Sequence, residues 1–157
     1  RVQILAGSPA YGADLLKEIV AAESLSQAQI ANLLLAVQDL NSKAELVAAF
    51  SILAELSHKL PDSSSQREVL YWMAEIRMAQ QQYAEAARLY LQSARLNQAG
   101  AMDGWAEAAR HRAAHALEQA GLLSDAVSIY QTLSAATDDG ARAIYDYQIR
   151  RLKNNIN

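Results

Sequence analysis

The sequence predicts an all-α fold, a stack of antiparallel helical hairpins closed by a C-terminal capping helix, and three observations predict it. Apolar residues recur at steps of three and four rather than alternately, as a helix with one buried stripe requires. Glycine and proline are scarce, six and two in 157 residues, while alanine supplies much of the apolar half, a composition for long uninterrupted helices. Helix-start residues return at nearly regular intervals: Ser26, Ser65, Asp103 and Asp139 open alternate helices at spacings of 39, 38 and 36 residues, which is a repeat period.

In chain order, a short helix around Ala13 to Ala22, carrying Leu15, Leu16, Ile19 and Val20, precedes the hairpins. The first hairpin covers about 26–60. Ser26-Gln-Ala-Gln29 and Ser42-Lys-Ala-Glu45 open its helices as capping boxes, in which the serine oxygen and the Gln or Glu side chain satisfy each other's free backbone N–H groups. Its stripes are Ile30, Leu33, Leu34, Val37 and Leu40, then Leu46, Val47, Phe50, Leu53 and Leu60, and Pro61 ends it. The second hairpin, about 65–97, opens at Ser65-Gln-Arg-Glu68. It carries Val69, Leu70, Met73 and Ile76, breaks at Gln80 to Gln82, and returns with Tyr83, Ala86, Ala87 and Tyr90. The third, about 103–136, starts on Asp103 as a plain N-cap and carries Ala113, Ala114 and Leu117. Gly121 supplies the left-handed residue past a helix end, and Ala126, Ile129, Tyr130 and Leu133 follow. The capping helix, about 140–153, starts at Asp139 with Ile144, Tyr147 and Leu152 as its apolar stripe. The N-terminal dozen residues and the Asn-rich tail are expected to be poorly ordered. No low-complexity linker divides the chain, so residues 1–157 read as a single helical-repeat domain.

The formal charge of −3 and a pI near 5.6 argue against a general nucleic-acid or anionic-membrane binder. Cysteine is absent, which excludes disulfides and thiolate metal sites. No stretch approaches the roughly 18 apolar residues that suggest a membrane span. The chain opens at Arg1 rather than methionine, which leaves room for a removed upstream portion.

Met73-Ala74, Tyr83, Ala86, Tyr90 and Ser93-Ala94, repeated 40 residues on as Ala113-Ala114, Leu117, Gly121, Ala126, Tyr130 and Leu133, resemble the tetratricopeptide pattern. Small residues at Ala74, Ala86, Ala114 and Ala126 let paired helices approach closely, and the aromatic in each second helix fills the gap to the next hairpin. From Glu107 to Ala141 the third hairpin and final helix stand at the family's 34-residue offset. The first hairpin matches poorly, Gln81 replaces the glycine of the second turn, and the Gln98 to Asp103 loop is long; a generic α-hairpin array is the other reading. The resemblance covers about residues 65–152 and implies a right-handed solenoid. Tyr71-Trp72, Glu75, Ala79-Gln80 and Tyr83 are similar to the bacterial cell-envelope branch, proteins of the Tol–Pal system or outer-membrane assembly, which implies a periplasmic or envelope location rather than a cytoplasmic one.

The resemblance also implies a peptide site along the first helix of each hairpin. The matching positions are Tyr71, Trp72, Glu75 and Met78, then His111, Arg112, His115 and Gln119, then Arg142 and Tyr145. Aromatics give contact area at low entropic cost, and Arg112 could fix a carboxylate. Tyr71 and Trp72 equally suit packing between hairpins. His111 and His115 place two imidazoles on one helix face, but the intervening Arg-Ala-Ala lacks a general-base Glu, and a metal would need Glu75 or Glu118 as well. The expectation is no metal and no cofactor. His58 beside Lys59 reads as a C-terminal cation favoured by the helix dipole, and Arg110 to Arg112 and Arg150-Arg151-Lys153 as helix faces or acidic-partner contacts. With no nucleophile elbow, phosphate loop or paired carboxylates, an enzyme is not expected. The expected function is a non-catalytic scaffold that binds a protein or peptide. The alternative is a structural segment of a larger repeat protein whose faces serve stacking or self-association.

Overall fold

The computed structural model describes residues 43–60, 62–96 and 102–156. The expected helix at Ala13 to Ala22 and the first helix of the first hairpin lie outside the described residues. Six helices and no strand are present among the described residues: α1 (Lys43–Lys59), α2 (Ser63–Ala79), α3 (Tyr83–Arg95), α4 (Gly104–Gln119), α5 (Leu123–Ala136) and α6 (Asp139–Ile156). Each packs chiefly against the helices before and after it in the chain. The α2–α3 pair is antiparallel. Tyr90 meets Glu75 near the turn, and Ser93, further along α3, meets Arg67, further back along α2.

The turns between paired helices are built alike. Gln80, Gln81 and Gln82 donate their N–H groups to the carbonyls of Ile76, Met78 and Arg77; Ala120, Gly121 and Leu122 do the same to Ala116, Glu118 and Leu117. Both turns need one residue at positive φ, which is Gly121 in the second and Gln81 in the first.

Two helix starts differ from expectation. α2 begins at Ser63 rather than Ser65: Asp62 is its N-cap and accepts the Ser65 N–H at 2.7 Å, leaving Ser65 inside the helix. The short carboxylate in extended backbone after position 61 reaches the free N–H groups first. Asp103 caps α4 as expected, accepting from Ala106 N–H. At α6 Asp138 takes the capping role, accepting from Ala141 N–H, and Asp139 is the first helical residue. The Asn-rich tail, expected to be poorly ordered, is helical through Ile156.

The core runs along the whole stack. Ala74, Ala86, Ala114 and Ala126 are fully buried, with Ala87, Ala113 and Ala116 beside them, so the helices approach on small side chains. Tyr90 and Tyr130, the largest fully buried side chains, occupy the same place in α3 and α5. At the other end Arg77 lays its guanidinium 3.5 Å from the centre of the Phe50 ring, tying α1 to α2.

The stripe of α6 is turned from expectation. Tyr145 and Leu152 are buried, with Ala141 and Ile149 partly so, whereas Ile144 and Tyr147 are each 58% exposed. A tyrosine is buried without penalty where its hydroxyl has a partner, and Tyr145 finds Glu107.

Candidate interaction surface

The surface is built from two copies of one arrangement. In the first, Tyr71 of α2 packs edge-on against Tyr90 of α3 at 5.2 Å and Trp105 of α4 at 5.3 Å. In the second, His111 of α4 packs against Tyr130 of α5 at 6.1 Å and Tyr145 of α6 at 5.8 Å. Each member of the second set stands 40 residues after its counterpart. Three successive helices therefore meet at each ring cluster, and the second has an imidazole where the first has a phenol and a phenol where the first has an indole.

Beside each cluster a glutamate joins the same three helices. Glu75 accepts from the Tyr90 hydroxyl and takes both Nε and Nη2 of Arg112 from α4. Glu118 accepts from the Tyr130 hydroxyl at 2.8 Å and from Nη2 of Arg151 on α6. Burial, and then the carboxylate each hydroxyl faces, push the Tyr90 and Tyr130 phenols upward, so both remain donors. The Tyr145 phenol is raised by burial and by Glu107 in the same way. Burial opposes the Arg112 charge, but the bonds to Glu75 carry its pKa above the ordinary value. Further along, Ser93 donates to the Arg67 carbonyl at 2.6 Å and accepts from the Trp105 indole at 3.0 Å, and Arg67 reaches Asp103 at the start of α4.

The residues expected to contact a partner divide accordingly. Trp72, Met78 and His115 are half-buried, while His111 and Gln119 are exposed on the flank of α4. Tyr71 is a packing hub. Glu75 and Arg112 are committed to each other, so Arg112 is not free to fix a partner's carboxylate. Arg142, expected beside Tyr145, turns to α5 and donates to the carbonyls of Ser134 and Thr137. Tyr145 is 6% exposed and belongs to the ring cluster. In their place α6 presents Ile144 and Tyr147, three residues apart and on the same face as Arg151. The Arg151–Glu118 bond sets that face alongside His111, His115 and Glu118 of α4. Trp105 was missed in the sequence, where only its place at a helix start was on view, and Glu118 was read only as a possible further ligand to the two histidines.

No family model matches the chain, and no curated protein or solved structure matches it either. His111 and His115 have no third ligand to share: Glu75 and Glu118 are occupied, and no three His, Asp or Glu side chains converge to hold a metal ion among the described residues. Desolvation, followed by the charges of His115 and Arg112, holds the His111 imidazole below its ordinary range. An open groove of about 420 Å³ lies between Ser57, Gln66, Leu70, Gln92, Arg95 and Leu96, and it contains none of the residues expected to contact a partner. No helix of the described residues is long and apolar enough to cross a membrane.

Proposed function

We propose that the chain is a non-catalytic interaction scaffold of the tetratricopeptide-like kind, binding a protein or peptide along the flank formed by α2, α4 and α6. The observation that carries this reading is the run of partly and fully exposed Trp72, His111, His115, Gln119, Ile144 and Tyr147 over three helices joined by the Glu75–Arg112 and Glu118–Arg151 pairs. A rigid, broad strip with aromatic and aliphatic anchors suits an extended ligand better than a small molecule in a cavity. The carboxylates nearest this strip each face a phenol or guanidinium rather than another carboxylate, which supports a structural role over acid–base work.

The test is site-specific photocrosslinking in native extract. A crosslinking side chain replaces Trp72, His115 or Tyr147 on the strip, and Arg88 or Ser128 on the second helices as controls. Discrete adducts from the strip alone are expected; adducts from the controls alone would sink the assignment. The similarity around Tyr71-Trp72 makes the cell envelope the fraction to examine first. Self-association through α6 is the second reading, favoured by the exposed Ile144, Tyr147 and Ile156. Light scattering over a concentration series checks it, and a strictly monomeric mass would remove it.

A further inference from the structure

The acids and cations around the α4–α6 end of the strip are sorted. Glu118 is held by Tyr130 and Arg151, Glu107 by Tyr145, and Asp146 by the Ser134 hydroxyl of α5 at 2.6 Å. Each carboxylate is thus tied to a donor within the fold. Two cations of α6, Arg150 and Lys153, are not so held among the described residues. From Tyr147 to Ile156, α6 carries Arg150, Arg151 and Lys153 and no acid, in a chain whose net charge is −3. Arg150 is exposed, and neither it nor Lys153 makes an ion pair among the described residues. Arg151 is spent within the fold, through Nε on Gln148 and Nη2 on Glu118, as Arg112 is on Glu75. Cations near a helix C-terminus are favoured by the dipole, which accounts for Lys153. The dipole does not account for Ile144 and Tyr147, left in water beside Arg151 one and two turns earlier.

We infer that the α4–α6 end of the strip takes an acidic amphipathic peptide, with its carboxylates against Arg150 and Lys153 and its apolar side chains on Ile144 and Tyr147. This rests on the scaffold reading above and adds the chemistry of the partner. Apolar anchors supply the buried area, and the surrounding cations select the sign of the ligand and speed its approach. A nucleic acid would use the cations and leave Ile144 unmatched, so the peptide fits the face better.

The experiment titrates the full 157-residue chain, isotope-labelled, with four probes at low and high salt. Three are 15-residue synthetic peptides sharing one Leu/Phe skeleton, with Glu/Asp, Ser/Gln or Lys/Arg at the remaining positions, and the fourth is a 20-nucleotide single-stranded DNA. The acidic peptide is expected to bind at least tenfold tighter than the neutral one, with amide shifts mapping to 144–151 and 111–119 and with weakening in salt. Arg150→Gln/Lys153→Gln, both exposed positions, should remove most of that preference, and Ile144→Ser/Tyr147→Ser should weaken acidic and neutral peptides together. Unchanged circular dichroism confirms folding of each variant. Equal binding of acidic and neutral peptides on this strip, or tighter binding of the basic one, would overturn the acidic partner and leave the scaffold standing. DNA that shifts the same amides as strongly as the acidic peptide would overturn it in favour of a general polyanion site. If no probe shifts amides of α2, α4 or α6, both the inference and the scaffold reading fall.

Discussion

Gln81 and Gly121 hold the same place in two turns 40 residues apart, with φ of 60° and 75°. A side chain in this region strains the backbone, so Gln81→Gly should raise stability by roughly 0.5–1 kcal/mol and Gly121→Ala should lower it by about 1 kcal/mol. A Cβ at position 121 meets no atom within 4 Å, so the loss is backbone strain alone, and urea midpoints measure both. His111 gives the molecule a pH response of known sign. Its folded pKa is depressed below 6.5, so its contribution to stability is present above that value and lost as pH falls through the folded pKa. His111→Tyr installs the ring found at the equivalent position 71. Denaturation at pH 7.5 and pH 5.5 should show a smaller acid-induced loss in that variant than in the wild type; the ring keeps part of its surface in water, so the difference is modest.

Among the elements, α4 and α6 carry sharp expectations. Asp103 caps α4 and also holds Arg67, so Asp103→Ala should cost about 1 kcal/mol, while Asp103→Asn retains the cap and recovers most of it. The rotation of α6 is testable by exchanging which residues matter. Ile144→Ser should change stability by no more than about 0.5 kcal/mol, whereas Tyr145→Ala should cost about 3 kcal/mol or more, since it removes a buried ring and the partner of Glu107. The opposite ranking, read from thermal melts, would mean that α6 packs on its Ile144–Tyr147 side. Its stripe was ambiguous in the sequence because apolar residues lie on two faces: Ile144 and Tyr147 on one, Tyr145 and Leu152 on the other. The Asp62 cap was likewise hidden behind the Ser65-Gln-Arg-Glu68 capping-box pattern, although a carboxylate directly after a proline was on view.

Among the described residues, cohesion comes from an apolar core rich in alanine from α2 onward and from two carboxylates that each join three helices. The Glu75 side chain is 26% exposed and that of Glu118 is 11%, so solvent screens the first pair more than the second. Double-mutant cycles should therefore give a larger coupling for Glu118–Arg151 than for Glu75–Arg112, on the order of 1–2 kcal/mol against about 1 kcal/mol at low salt. Raising the salt should erode the Glu75–Arg112 coupling more. Equal couplings would mean that burial does not set the strength of these joints. These pairs were not legible in advance because Glu75 and Arg112 lie 37 residues apart and Glu118 and Arg151 lie 33 apart. No local pattern links side chains at that distance, and each residue alone reads as an exposed helix charge.

Among the described residues, the sequence by itself determined the helices and the turn at Gly121, since periodicity and a left-handed glycine are local properties of a chain; the caps at Asp62 and Asp138 it did not mark. It also marked the small residues at Ala74, Ala86, Ala114 and Ala126, because close helix approach admits little else. Only the tertiary structure decided which way α6 turns, which charges are spent inside the fold and which stay outside. Those outcomes depend on partners brought from other helices. Arg112 and Tyr145, read alone, look available to a ligand; Glu75 and Glu107 claim them first, and Ile144, Tyr147, Arg150 and Lys153 are what the fold leaves in water.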